Sequence, residues 1–189
     1  AVPVTAKSLG LTDAQLDDIL SARLGLVDYD GTRGTFCRLE WDLHKHDPST
    51  YPMFRDLVGH SEDCQRGGGF GAVATNTRLV SANVRQLAAL ARERDALSTT
   101  TTARVLELVA VVFHESRCGS TLTANLLAAL APEQHRVYSE SAPPIAALRN
   151  VCGEDYADCD IDEAAAHLRD VVYLMRRSND ARERKVFFK

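Results

Sequence analysis

Val105-Leu-Glu-Leu-Val-Ala-Val-Val-Phe113, followed by His-Glu-Ser-Arg-Cys-Gly-Ser-Thr-Leu122, is the stretch on which the fold turns. Its first part is nearly continuous in apolar, β-branched residues, the pattern of a strand covered on both faces inside a parallel sheet. From Gly119 to Ala131 the period changes. Leu122, Leu126, Leu127 and Leu130 fall on one side of a helix, the side expected to be core. The small and polar residues between them leave room for a tight loop and little else.

Working outward toward the C-terminus, His135 to Ser139 reads as a second short strand and Pro144 to Asn150 as a short helix. Asp160-x-x-Glu163 has the form of a helix start, and the helix it opens carries Leu168, Val171, Val172 and Met175 as its stripe. Val186-Phe187-Phe188 begins a third strand. Strands alternating with helices predict a parallel α/β sheet over 103–189.

Toward the N-terminus the pattern is mixed. Thr12-Asp-Ala-Gln15 is a capping box, with Leu16, Ile19, Leu20 and Leu24 following at helical spacing and Gly25 as a stop. Gly34 to Leu43 reads as a β piece, Asp47-Pro48-Ser49 as a turn, and residues 51–64 as another short helix. Gly67-Gly68-Gly69-Phe70-Gly71 breaks the pattern and lacks a Lys, so a linker is expected there rather than a phosphate loop. A helix over about 81–97 follows, then the polar connector Ser98 to Thr102. The organisation predicted is 1–66 as an N-terminal α+β region, 67–102 as a Gly-rich linker and helix, and 103–189 as the α/β domain.

Composition excludes several classes. With 189 residues, 45% apolar and 25% charged, the chain is neither disordered nor fibrous. The longest apolar run, Leu108 to Phe113, is far short of the ~20 residues of a membrane helix, so no membrane span is expected. A net charge of -4 argues against general nucleic-acid binding. The stretch 67–131, with 4 acidic against 6 basic residues, is the one net-positive part and suits a small anionic ligand. Five widely spread cysteines without a C-x-x-C pair make no disulfide framework. Cys152 and Cys159 could close a small loop in an oxidising compartment and would be plain thiols in the cytosol. Location is thus left between the cytoplasm and an organelle or secretory lumen, and Ala1 in place of Met is compatible with a processed mature chain.

Ser116-Arg117-Cys118-Gly119-Ser120-Thr121 holds the chemistry. A strand–loop–helix junction presents free backbone N–H groups and the positive end of the helix dipole, which together favour an anion. Gly119 lets the backbone approach a ligand, Ser120 and Thr121 add hydroxyl donors, and Arg117 adds a cation. A Walker A loop, G-x-x-x-x-G-K-[ST], is not formed: Ser120 occupies the Lys position and His114 the first Gly. An ATPase or nucleotide kinase-like reading is therefore disfavoured. A phosphatase loop of the Cys-x5-Arg kind would place Arg at 124, and the residue is Ala124.

The run Ser116-Arg117-Cys118-Gly119-Ser120-Thr121-Leu122 resembles the 5′-phosphosulfate loop of the P-loop sulfotransferase family, in the Arg-containing branch that modifies carbohydrates, tyrosines or small molecules. His135-Arg-Val-Tyr-Ser-Glu-Ser-Ala-Pro-Pro144 resembles the Ser-Glu-Pro-type segment after that family's second strand, with Ala142 separating Ser141 from Pro143. The resemblance covers roughly 104–189. It implies a three-layer P-loop-type parallel sheet, incomplete, preceded by a small mostly helical N-terminal region. It also implies sulfuryl transfer from 3′-phosphoadenosine 5′-phosphosulfate, without a metal, to a hydroxyl or amine acceptor. Ser116, Arg117, Cys118, Gly119, Ser120 and Thr121 would hold the 5′-phosphosulfate, and Arg117 would also stabilise the leaving charge. Glu140, at the end of the second strand, is the expected base, with His114 as the alternative. The family holds the 3′-phosphate with an Arg and a Ser of a later segment, placed after a strand such as Val186–Phe188. The chain is accordingly expected to carry the front half of a catalytic domain. The competing reading is a non-catalytic subunit or interaction module, with a protein partner, that keeps a degenerate P-loop fold.

Other features have plainer readings. Glu at a strand end is commonly solvated or salt-bridged. Cys118 is either a thiol activated by Arg117 and the helix N-terminus or a small spacer. His44 and His46, at i and i+2, would share one face of a strand, but no third metal ligand follows at a recognised spacing. Arg176, Arg177, Arg182, Arg184 and Lys185 read as a solvated helix end and connector.

Overall fold

The computed structural model describes residues 4–65, 79–97, 103–115, 118–157 and 159–189. Along the chain come α1 (Ala6–Leu9), α2 (Asp13–Leu20), β1 (Gly25–Tyr29), β2 (Arg33–Cys37), α3 (Trp41–His46) and α4 (Phe54–His60). Then follow β3 (Val80–Asn83), α5 (Val84–Leu97), β4 (Arg104–Val105), β5 (Glu107–Val111) and α6 (Ser120–Leu130). The remainder is β6 (His135–Tyr138), α7 (Ala142–Cys152), α8 (Ile161–Met175), β7 (Arg177–Ser178) and β8 (Lys185–Phe188). The protein is mixed α/β with a small parallel sheet. No helix among the described residues is long and apolar enough to cross a membrane.

The chain divides into two compact units, each assembled from three separate segments. One unit takes 1–37, 79–105 and 142–179; the other takes 38–78, 106–141 and 180–189. Each unit therefore draws on all three stretches into which composition divides the sequence. The Gly-rich run 67–71 and the connector 98–102 lie outside the described residues.

The first unit is built on an antiparallel sheet in the order β1-β2-β3, with α5, α7 and α8 packed around it. The Thr12 capping box forms as expected: the Thr12 hydroxyl accepts from Gln15 N and the Gln15 side chain returns to Thr12 N at 2.9 Å. The helix ends at Leu20, however, and Leu24 lies beyond it; Gly25 opens β1 rather than stopping the helix. Asp160 caps α8 by accepting from Glu163 N, and Val171 and Met175 are buried. Pro143 and Pro144 lie in the first turn of α7, where a missing N–H costs nothing. Cys152 at the end of α7 is bridged to Cys159, so that pair is a disulfide and not two thiols.

Arg177 departs most from its expected place. It is 3% exposed, not solvated. Its Nε and Nη2 lie 2.8 Å from the two carboxylate oxygens of Asp95, and Nη2 also donates to Leu20 O at 2.7 Å. Tyr173 donates its hydroxyl to the same carboxylate at 2.7 Å, and burial with that contact pushes the Tyr173 pKa up to about 12.

The second unit holds the parallel sheet, in the order β5-β8-β6. The chain leaves β5, crosses to the far strand β6 by way of α6, and later returns β8 between them. On one face Ala124 and Ala128 of α6 pack on Val137 and Phe187, with Ala110 and Leu127 at the margin. On the other, Tyr138 stacks on Phe188 with centroids 4.9 Å apart, and Trp41 and Phe54 close over it. Buried beside them, Glu183 accepts from Lys45 at 2.8 Å and from Arg136 at 2.5 Å.

Three expectations are corrected here. Trp41 and Leu43 belong to α3, not to a strand, so His44 and His46 point in different directions: His44 is buried and His46 exposed. The β5 run is not covered on both faces: Val109 is 45% and Val111 47% exposed. Three of the four leucines expected inside on α6 are turned outward, Leu122 at 64%, Leu126 at 61% and Leu130 at 76%, while Leu127 packs against the core. The alanines lie inward because they let the helix sit close on the Phe187 and Val137 side chains, which leaves no room for leucine there.

Candidate functional site

Parallel strands end at one edge of a sheet, and the carboxyl ends of β5, β6 and β8 put His114, Glu140 and Lys189 on the edge where open α/β sheets bind ligands. The loop from β5 delivers the N-terminus of α6 to that same edge. Gly119 is the N-cap, with φ 83 and ψ 12 in the left-handed region, and an added Cβ would meet nothing within 4 Å. Glycine is needed here for its backbone angles and not for space. Among the described residues no side chain caps α6, and the first N–H groups of a helix have no partner within the helix itself. Ser120 is buried at 9%, and Thr121 is half-buried in the first turn. Cys118 carries a free, exposed thiol.

Of the residues read from sequence, Cys118, Gly119, Ser120, Thr121, His114 and Glu140 lie within this one unit. Ser116 and Arg117 lie outside the described residues. His114 is exposed, its Nδ1 3.1 Å from the Glu115 carbonyl.

Glu140 is held in an unusual way. Its φ of 54 places a non-glycine residue in the left-handed region, a conformation costing on the order of 1 kcal/mol that surrounding bonds must maintain. Those bonds come from Lys189. Glu140 N donates to Lys189 O at 2.7 Å, and Lys189 N donates to Tyr138 O at 2.9 Å, continuing the ladder past the strand ends. The Lys189 ammonium then lies 2.6 Å from Glu140 Oε1 and 3.4 Å from Thr121 Oγ1. That contact holds the Glu140 carboxyl below the usual carboxylate range, burial opposing, with Arg55 and His114 adding in the same direction. Glu140 is thus ionised, and a weaker base than an unpaired carboxylate.

Lys189 is the residue that reading the sequence missed. Its signal was its place, directly after the third strand of a parallel sheet.

The same unit has a hollow of about 420 Å³ away from these residues, lined by Glu40, Asp42, Leu43, His46, Asp47 and Tyr51. Three carboxylates make it unsuitable for a phosphate or sulfate. No family model, curated protein or solved structure matches the chain.

Proposed function

We propose that the chain is a sulfotransferase-like protein with a P-loop-type sheet, acting on 3′-phosphoadenosine 5′-phosphosulfate and a hydroxyl or amine acceptor. The observation that carries this reading is the N-terminus of α6, without a side-chain cap among the described residues and brought by Gly119 in the left-handed conformation to the carboxyl edge of the parallel sheet. The order β5-β8-β6 supports it, because the strand that feeds the loop and the strand that precedes Glu140 are separated by a later one.

The residues present suit the co-substrate, since uncapped N–H groups and two hydroxyls form a donor set for a phosphosulfate. The co-substrate supplies an activated sulfuryl group on a good leaving phosphate. The N–H groups of Cys118 and Gly119, the hydroxyls of Ser120 and Thr121, and the guanidinium of Arg117 would bind its anionic end. Arg117 would also neutralise charge that grows on the bridging oxygen as the sulfur–oxygen bond breaks. Glu140 would take the acceptor's proton as its oxygen or nitrogen bonds to sulfur, with His114 as the second candidate.

Adenosine 3′,5′-bisphosphate should raise the melting temperature of the protein, and Arg117→Ala should remove that rise. No shift with a protein that extends past Lys189 would sink the reading, and a response to ATP and Mg²⁺ instead would favour a nucleotide kinase-like protein. A second reading, a non-catalytic interaction module, draws on the outward leucines of α6, which ask for an apolar partner. Binding of the bisphosphate without sulfuryl transfer to any hydroxyl or amine acceptor would favour it.

A further inference from the structure

We infer that Lys189 supplies the cation that a Walker-type loop carries within the loop itself, and that Glu140 competes for it with the bound anion. This inference rests on the anion-binding reading of the α6 N-terminus and adds a residue to that site. Ser120 stands where the loop lysine of a Walker pattern would stand, so the first turn of α6 has no ammonium of its own. Lys189 provides one from the neighbouring strand.

The geometry is specific. The Lys189 side chain is 2% exposed, yet its Nζ reaches Thr121 Oγ1 at 3.4 Å. An anion oxygen bonded to the Thr121 hydroxyl would lie within about 6 Å of that ammonium, close enough for strong attraction in a half-buried site. An ammonium has three N–H donors, and Glu140 and Thr121 engage two of them. Main-chain bonds among Tyr138, Glu140 and Lys189 hold the backbone of the pair, and the ammonium is placed by its contacts with Glu140 Oε1 and Thr121 Oγ1. A carboxylate 2.6 Å away satisfies Lys189 in the free protein, and it opposes an anion at the same place.

Titration of adenosine 3′,5′-bisphosphate into five proteins, wild type, Lys189→Ala, Lys189→Arg, Glu140→Gln and Arg117→Ala, decides the matter. Lys189→Ala should weaken binding about tenfold or more, and Lys189→Arg should recover most of the loss. Glu140→Gln should tighten binding several-fold, because it removes the competing charge and keeps the side chain's shape. A purely structural ion pair predicts no gain in affinity from Glu140→Gln, so unchanged or weaker binding in that variant overturns the inference. This holds even if Lys189→Ala fails to fold, which circular dichroism of the free protein would reveal. If Lys189→Ala binds like wild type while Arg117→Ala does not bind, Lys189 is excluded and the anion site stands. If wild type does not bind, the anion site falls, and the role of Lys189 falls with it.

Discussion

Asp95 receives both nitrogens of the Arg177 fork at 2.8 Å, far apart in sequence and almost sealed from water: the Arg177 side chain is 2% and that of Asp95 13% exposed. Arg177 also binds the carbonyls of Ile19 and Leu20 at the end of α2. One side chain therefore ties α2, α5 and the segment after α8 together. Removing the carboxylate leaves a buried guanidinium uncompensated, which is the expensive way to break such a pair. Asp95→Ala should cost about 3 kcal/mol or more. Urea unfolding reads this as a lowered midpoint at unchanged slope. A loss under about 1 kcal/mol would show that water reaches Arg177.

The inward alanines of α6 make a second prediction. Ala124 is fully buried against the Val137 and Phe187 cluster, so Ala124→Leu overpacks it and should cost about 1–3 kcal/mol. Leu126→Ala, on the outward side, should change stability by no more than about 0.5 kcal/mol. Thermal unfolding of both variants checks the phase of the helix. The opposite ranking would mean that the leucine side faces the sheet.

His44 should give the stability a pH dependence. The ring is 4% exposed, with Nδ1 2.7 Å from the Tyr51 carbonyl. Burial holds its pKa below the ordinary histidine value, the Tyr51 carbonyl opposing. The folded state thus keeps His44 neutral while the unfolded chain takes up a proton near pH 6.5. Its contribution is complete above that pH and declines as pH falls below it. The melting temperature of the wild type should drop more between pH 7 and about pH 5.5 than that of His44→Gln. Parallel curves would clear His44 of this role.

Local chemistry was legible without the tertiary structure. Thr12 with Gln15 and Asp160 with Glu163 are contacts within one turn, and both helix starts form where the residues place them. The three parallel strands were legible as β-branched or aromatic runs between helices. Trp41 was not. Its aromatic ring and the neighbouring apolar residues suit a strand as well as a helix, and it is packing against Phe54 and Tyr138 that accompanies the helical choice. Arg177 and Glu183 were misjudged or passed over for a related reason. A charged residue is expected in water until its partner is known, and the partners here are Asp95 and the pair Lys45 and Arg136.

At the candidate site the same division holds. Glycine, serine and threonine following a buried-strand pattern mark the loop from sequence alone, because small residues, hydroxyls and a helix start are properties of consecutive positions. Lys189 beside Glu140 and Thr121 is not such a property. It depends on β8 lying between β5 and β6, an order set by how three strands and a helix share one core. By itself the sequence determined the three strands of the parallel sheet and the Thr12 and Asp160 helix caps, since these follow from patterns and contacts within a few residues. The tertiary structure decided which side of α6 is buried, which charges are paired, and that the Lys189 ammonium lies beside Glu140 and Thr121. Those depend on distances between residues whose separation in the chain carries no information about their separation in space.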